Sequence, residues 1–169
     1  MEEAHKFLSR YTIDTLNRVK EFSKIKTKAK VTVNHGDSRE IKLPGGIDLV
    51  FTSPPYIGLI DYHEQHKYAY QLLGLENKEI SEIGGAKRGQ SQDAKQQYIK
   101  GINDVLIHTR NSMTKKGLAL IVVNDKYGLY EAPKSGFKEI GRVERHVNRR
   151  TGMRENAFYE SILIWQKDE

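Results

Sequence analysis

The segment Asp48-Leu49-Val50-Phe51-Thr52-Ser53-Pro54-Pro55-Tyr56 joins an apolar run to a polar-Pro-Pro-aromatic exit. Two successive prolines fix φ and lower the entropy lost in ordering a loop. The Pro54 carbonyl can be aimed at a ligand donor, and Ser53 places a second oxygen acceptor beside it. Tyr56 adds a flat face on which a nucleobase can stack. These parts suit methylation of an aromatic amine. The exocyclic nitrogen of cytosine or adenine is a poor nucleophile because its lone pair is delocalised into the ring. Two acceptors on its N–H groups draw it toward a tetrahedral shape and free the lone pair for in-line attack on a sulfonium methyl. Catalysis of this kind is mainly positioning and electrostatics. The base must first leave the duplex stack, and Tyr56 would hold it once flipped. The plainer alternative is a structural Pro-Pro turn, and a short motif needs its structural context to rise above that.

The elements around the segment supply such a context. Ile47 to Thr52 reads as a buried strand that Pro54-Pro55 stops abruptly. Upstream, residues 7 to 25 form an amphipathic helix with Leu8, Tyr11, Leu16, Val19 and Phe22 at helical spacing. A basic stretch, Lys24 to Lys30, leads into a short strand at Val31 to Asn34, and Gly36-Asp37-Ser38 turns after it. Downstream, Tyr62 to Leu73 is helical and Gly74 ends it. Residues 83 to 92 are glycine-rich, polar and basic, and predict a mobile loop. Residues 93 to 113 form a long helix with Tyr98, Ile102, Val105, Leu106 and Met113 as its buried stripe. Lys116-Gly117 turns into a strand from Leu118 to Val123. Two antiparallel strands, about Lys138 to His146 and Ala157 to Gln166, close the chain around the basic turn RRTGMR. Alternating strands and helices predict an α/β fold with a mostly parallel sheet and a C-terminal antiparallel hairpin. Ligands of such sheets bind at the carboxyl ends of the strands, where Thr52 to Tyr56 sits. One domain spans residues 1–169.

The bulk numbers narrow the partners. Twenty-eight Lys and Arg stand against 22 Asp and Glu, a formal net charge of +6, which suits a polyanion. The chain has no cysteine, which excludes disulfides, thiolate metal sites and cysteine nucleophiles. No apolar run approaches the roughly 20 residues that span a bilayer, and the N-terminus lacks the apolar core of a signal peptide. A cytoplasmic location is expected. His63 and His66 lie three apart on the expected helix, but methyl transfer needs no metal and further ligands are lacking; no metal site is expected. Tyr62 and His63 either line a base pocket or cap the helix. Lys87, Arg88, Arg145, Arg149, Arg150 and Arg154 are candidates for phosphate contacts, the alternative being a solvated basic surface. Asn124-Asp125 ends a parallel strand at the ligand face, where Asp125 either assists in the pocket or caps the next loop.

Ser53-Pro54-Pro55-Tyr56 resembles the catalytic loop of the amino-group DNA methyltransferases, (Asn/Asp/Ser)-Pro-Pro-(Tyr/Phe). The Ser form is most similar to the N4-cytosine enzymes, whereas N6-adenine enzymes more often carry Asp or Asn. The resemblance implies a Rossmann-like methyltransferase fold and S-adenosylmethionine as cofactor, held by Asp37, Ser38, Thr52 and Ser53. It implies catalysis by Ser53, Pro54, Pro55 and Tyr56, and a base pocket of Tyr56, Tyr62, His63, Phe158 and Tyr159. The stretch Lys115 to Asp125 looks like a later sheet strand of the family, and Arg150 to Trp165 like its final hairpin. The match runs from about residue 7 to the end.

The departure from the family is a missing part. Its glycine-rich cofactor motif is absent: Gly45-Gly46 precedes a strand, and Gly84-Gly85 follows none. In the resembled fold the first two strands lie between the third, here 31 to 34, and the fourth, here 47 to 52. Without them the fold is incomplete, one strand has no ladder partner and the other shows an apolar edge. Two explanations are open: a second protein subunit supplies those strands and the glycine motif, or the chain is a fragment of a longer protein. The function expected is a DNA methyltransferase subunit acting on a flipped base, with cytosine N4 preferred. The alternatives are N6-adenine DNA, RNA or protein amino-group methylation, and a non-catalytic nucleic-acid-binding subunit.

Overall fold

Residues 2–58, 61–147 and 158–168 are described in the computed structural model of the chain. Within what the sequence presents as one domain, two units are distinguished, residues 1–35 and 36–169. The first unit is built on helix α1, Glu2–Ile25, which starts earlier than the apolar spacing alone predicts. An Asp14–Arg18 pair at 2.8 Å spans one turn of it, and its residues 3–25 are all exposed, the apolar stripe included. Lys24 in the last turn complements the helix dipole. The strand expected at 31 to 34 does not form: residues 26–35 have no regular structure, and Val31 and Val33 are exposed. Extended backbone needs a neighbour for its N–H and C=O groups, and this unit offers none among its described residues.

The second unit contains a four-stranded sheet in the order β1-β2-β4-β3, with β1 at Ile47–Thr52, β2 at Met113–Val123, β3 at Phe137–Val147 and β4 at Phe158–Lys167. β1 and β2 are parallel, Thr52 lying opposite Ile121. The pairs β2–β4 and β3–β4 are antiparallel. The sheet is therefore mixed rather than mostly parallel. Only β1 and β2 are joined by a long helical crossover, and no further parallel strand flanks β1 among the described residues.

Helix α4, Gln92–Asn111, makes that crossover. Ser91 caps it by accepting from the Ala94 amide at 3.2 Å. Its buried residues Tyr98, Ile102 and Leu106 pack on Ala119, Ile121, Val123, Leu163 and Trp165. Ile121, Leu163 and Trp165 have no measurable exposure. The Trp165 indole nitrogen donates to Glu139 at 3.0 Å, so burial leaves no orphan donor. Met113, expected on the helix, begins β2 instead, and Val105 is only half-buried.

The other face of the sheet is also apolar. Cross-strand register places Leu49, Phe51, Leu120, Ile164, Ile162 and Val143 on it. Leu49 is 53% and Phe51 69% exposed. A sheet apolar on both faces is the pattern of a layer covered twice.

The helix expected over Tyr62 to Leu73 forms as two pieces, α2 at Tyr62–Gln65 and α3 at Lys67–Leu73, separated at His66. Asp61 caps the first by accepting from the Glu64 amide at 2.8 Å. Gly74 ends the second with φ of 62°. Of the mobile loop expected at 83 to 92, the first part is packed, while Lys87, Arg88 and Gln90 to Gln92 are exposed. Gly84 and Gly85 are buried, the Gly58 amide donates to the Gly84 carbonyl at 2.9 Å, and Ala86–Arg88 forms a single 3-10 turn. At Gly84, φ is +75° and a Cβ would stand 2.8 Å from the Tyr98 ring, so only glycine fits. No helix among the described residues is long and apolar enough to cross a membrane.

The two faces of the sheet predict unequal sensitivity to truncation. Ile121→Ala should cost about 2–5 kcal/mol, and Leu49→Ala, already half in water, less than about 1 kcal/mol. Urea denaturation of the two variants beside the parent chain reads the difference.

Candidate active site

Ser53 to Tyr56 leave the carboxyl end of β1 next to β2. Ser53 is exposed, and Pro54, Pro55 and Tyr56 are half-buried. The loop is thus at the surface, with its far side held by the protein.

Two side-chain systems hold it. From α4, the Tyr98 hydroxyl donates to the Pro55 carbonyl at 2.9 Å. The same oxygen is bonded to the Tyr130 hydroxyl, and the two rings meet edge to face at 6.3 Å. The Asp125 carboxylate orders the Tyr130 segment by accepting from the Leu129 and Tyr130 amides at 2.7 and 3.4 Å. From β4, Glu160 accepts the Tyr56 hydroxyl at 2.6 Å. Its other oxygen accepts two N–H groups of Arg145 on β3, at 2.9 and 2.6 Å. Glu160 is a buried acid in an apolar strand, and an acid in such a place needs both charge and hydrogen-bond partners.

The titration of these groups follows their surroundings. Burial, and after it the bond to Glu160, raises the Tyr56 phenol well above the ordinary tyrosine range. Burial pushes Tyr98 up to about 12 and Tyr130 higher still, with the neighbouring Tyr98 adding to the shift. For Glu160 burial acts upward, but the Tyr56 hydroxyl and Arg145 outweigh it and leave the carboxyl below its usual value.

The remaining candidates are more dispersed. Asp37 accepts the Arg39 amide and Nε, each at 2.9 Å, and this pairing lowers its carboxyl to about 2. Arg39 reaches on to the Ser81 carbonyl at 3.4 Å. Ser38 is exposed and Thr52 half-buried. Tyr62 is exposed. His63 Nε2 accepts the Lys78 amide at 3.2 Å, and its ring lies 4.7 Å from Tyr70. It lines a cleft of about 320 Å³ together with Tyr70, Asn77, Glu79 and Lys87, a lining that does not include Tyr56. Phe158 begins β4. Tyr159 is exposed, its carbonyl accepting from Asn124 Nδ2 at 2.7 Å.

Of the basic candidates, Lys87 pairs with Glu79 at 2.6 Å, and Arg88 donates to Gln97 at 2.7 Å and to the Ile80 carbonyl. Arg145 is the partner of Glu160, although its side chain is 58% exposed. Arg149, Arg150 and Arg154 lie outside the described residues. Tyr98 and Tyr130 are the functional candidates that sequence reasoning misses. Tyr98 reads there as one apolar position of a helix stripe, and the one available signal is a polar hydroxyl on a buried face. Glu160 has a clearer signal, a lone acid between Phe158-Tyr159 and the apolar run Ile162-Leu163-Ile164-Trp165.

No family model matches the chain. The chain is 39% identical over 179 aligned positions to the type II methyltransferase M.MjaII of Methanocaldococcus jannaschii, a match covering 96% of this chain and 34% of that protein. It therefore spans about a third of the length of that relative. Among solved structures it is similar to TTHA0409 of Thermus thermophilus, a protein whose name describes a DNA modification methylase. The identity is 18%, over 79% of this chain and 52% of that one, with a TM-score of 0.48. The same protein complexed with S-adenosyl-L-methionine gives 20% identity, coverage of 79% and 54%, and a TM-score of 0.45.

The shifts predict an alkaline and an acid limb of stability. Tyr56, Tyr98 and Tyr130 have raised pKa values, so their contribution is complete below about pH 10 and is lost as pH climbs through the folded values. Absorbance titration should leave at least three of the nine tyrosines un-ionised at about pH 11, with the fold loosening as they ionise. Glu160 has the opposite sign. Its contribution is present above the ordinary Glu value of about 4.3 and is lost as pH falls through its lowered one. Glu160→Gln should flatten the acid limb of a stability-against-pH curve and leave the alkaline limb in place.

Proposed function

We propose that this chain, a homologue along nearly its whole length of one third of a type II methyltransferase, carries the catalytic loop of an S-adenosylmethionine-dependent DNA methyltransferase. One observation carries the reading. Ser53 stands exposed at the carboxyl end of a sheet strand, while the Pro55 carbonyl and the Tyr56 hydroxyl are both bonded on the protein side. That arrangement fits a loop that offers Ser53, the Pro54 carbonyl and the Tyr56 ring outward.

In the proposed reaction Ser53 and the Pro54 carbonyl accept the two N–H groups of an exocyclic amine, and the ring of Tyr56 supports the flipped base. Prior fixing of these acceptors lowers the reorganisation needed at the moment of attack. Tyr56 stays a neutral phenol, consistent with a stacking and positioning task rather than proton abstraction. The Ser form of the loop favours cytosine N4 over adenine N6. Tyr62, His63, Phe158 and Tyr159 are proposed around the base; His63 is the weakest of these, since its contacts lie with the 78–82 segment. Lys87, Arg88, Arg145 and the basic turn with Arg149, Arg150 and Arg154 are proposed toward phosphate.

S-adenosylmethionine, when bound, supplies an electrophilic methyl group. Thr52 and Ser53 at the strand end, with Asp37 and Ser38, are the residues of this chain proposed to meet it. The fit is to half a site. Gly84 is filled against Tyr98, and a Cβ at Gly85 would stand 2.9 Å from Glu82, so these glycines are unsuited to cradle a ligand. The missing cradle, the open edge of β1 and the apolar face with Leu49 and Phe51 together support a second polypeptide, or a further portion of the same protein, that adds strands beside β1 and brings the glycine motif. Placement in the cytoplasm goes with such a task.

Co-expression with a chain bearing that motif tests the reading. The pair should methylate DNA, with the product identified by nucleoside mass spectrometry. Ser53→Ala and Tyr56→Ala should each lower transfer by about a hundredfold, and Phe51→Asp should weaken association. A monodisperse isolated chain that binds the cofactor tightly would overturn the two-part reading, and undiminished transfer by both loop variants would overturn the assignment of the loop.

A further inference from the structure

We infer that Tyr98 is a positioning residue for the methyl-transfer loop, and that Tyr130 tunes it. The inference rests on the function proposed above, because it concerns how that loop is aimed. Its structural basis is the unbroken series Tyr130 hydroxyl, Tyr98 hydroxyl, Pro55 carbonyl.

The direction of the series follows from its acceptor. The Pro55 carbonyl can only accept, so Tyr98 donates its single proton there. The hydroxyl-hydroxyl bond must then run from Tyr130 to Tyr98. A hydroxyl that accepts one bond becomes a better donor for the next, so Tyr130 strengthens the grip of Tyr98 on the loop. Both tyrosines are buried, at 4% and 7% exposure, so water does not compete for the carbonyl on that side.

The geometry extends to the reacting atoms. Fixing the Pro55 carbonyl fixes the orientation of the peptide that joins Pro55 to Tyr56. With φ of Pro54 and Pro55 set by their rings, little freedom is left between that peptide and the Pro54 carbonyl. The Tyr98 ring is itself immobilised: Gly84 packs against it with no room for a Cβ, and its own helix is anchored in the core. Tyr56, the next residue, is held from the opposite side by Glu160. The acceptors are thus oriented by two buried hydroxyls that do not themselves touch substrate. Misplacement of a reacting group by about 1 Å is enough to cost on the order of a hundredfold in rate.

The test is Tyr98→Phe and Tyr130→Phe in the active two-part enzyme. Each removes one oxygen and leaves the ring. Tyr98→Phe should lower kcat at least tenfold while the dissociation constants for DNA and S-adenosylmethionine stay within about twofold. Tyr130→Phe, which keeps the Tyr98–Pro55 bond, should lose less. A merely structural role would lower the melting temperature of both variants alike and leave kcat per folded enzyme unchanged, and that result overturns the inference. The clamp can also be read without turnover, from the Pro55 carbonyl-carbon resonance of the chain. It should move in Tyr98→Phe and move less in Tyr130→Phe; no movement in Tyr98→Phe overturns the inference. Failure of the unsubstituted pair to methylate any nucleic acid is, by contrast, failure of the functional reading, and the resonance measurement distinguishes the two.

Discussion

The contact on which the rest of the second unit depends is the packing of α4 onto β2 and β4. Ile102 and Leu106 close the hydrophobic core with Ile121, Leu163 and Trp165, and burial of such side chains contributes roughly 1.5–3 kcal/mol each. The same helix face continues to Tyr98, whose ring belongs to the core and whose buried hydroxyl is turned to the Pro55 carbonyl. A position serving hydrophobic burial therefore also delivers a polar atom to the loop after β1. The loop inherits the rigidity of the core without being buried in it. A segment placed at a strand end is held in this way twice: the strand fixes its start, and the helix that follows fixes its turn.

The opposite anchor is electrostatic. Glu160 is nearly withdrawn from water, and its charge is tolerated because Arg145 and the Tyr56 phenol share it. Removing one member of such a set leaves the others with the desolvation cost and no compensation. Arg145 is also the member most open to solvent.

Much of this was legible in the sequence, for definable reasons. The strand Ile47–Thr52 was marked by an apolar run that two prolines end, and its boundaries are those observed. The two C-terminal strands were expected to pair antiparallel, as they do; the basic turn expected between them lies outside the described residues. What failed was non-local. The stretch 31–34 has strand composition, but strands exist by pairing, and pairing partners are not written into a segment. Residues 83–92 have loop composition, yet Gly84 is there because the Tyr98 ring occupies the space of a side chain. Met113 fits a helical stripe and is claimed by β2 because Ile47 lies opposite it. For the site, Ser53 to Tyr56 could be read from residue types alone. Tyr98 and Tyr130 could not, and neither could the bond from Tyr56 to Glu160, because these roles are set by partners between 32 and 104 residues away.

The uncovered flank of β1 bears on how the chain is supplied in a cell. Ile47–Thr52 carries one charge, two exposed bulky side chains and, on one edge, no strand beside it among the described residues. An edge of this kind, left open, is a good client for chaperones and proteases, which act on exposed apolar chain. Under the proposed two-part reading, the amount of this chain that persists would follow the amount of the polypeptide that covers this edge. Were that partner a separate chain, selective survival alone would match the two amounts after translation, with no matched rate of synthesis needed.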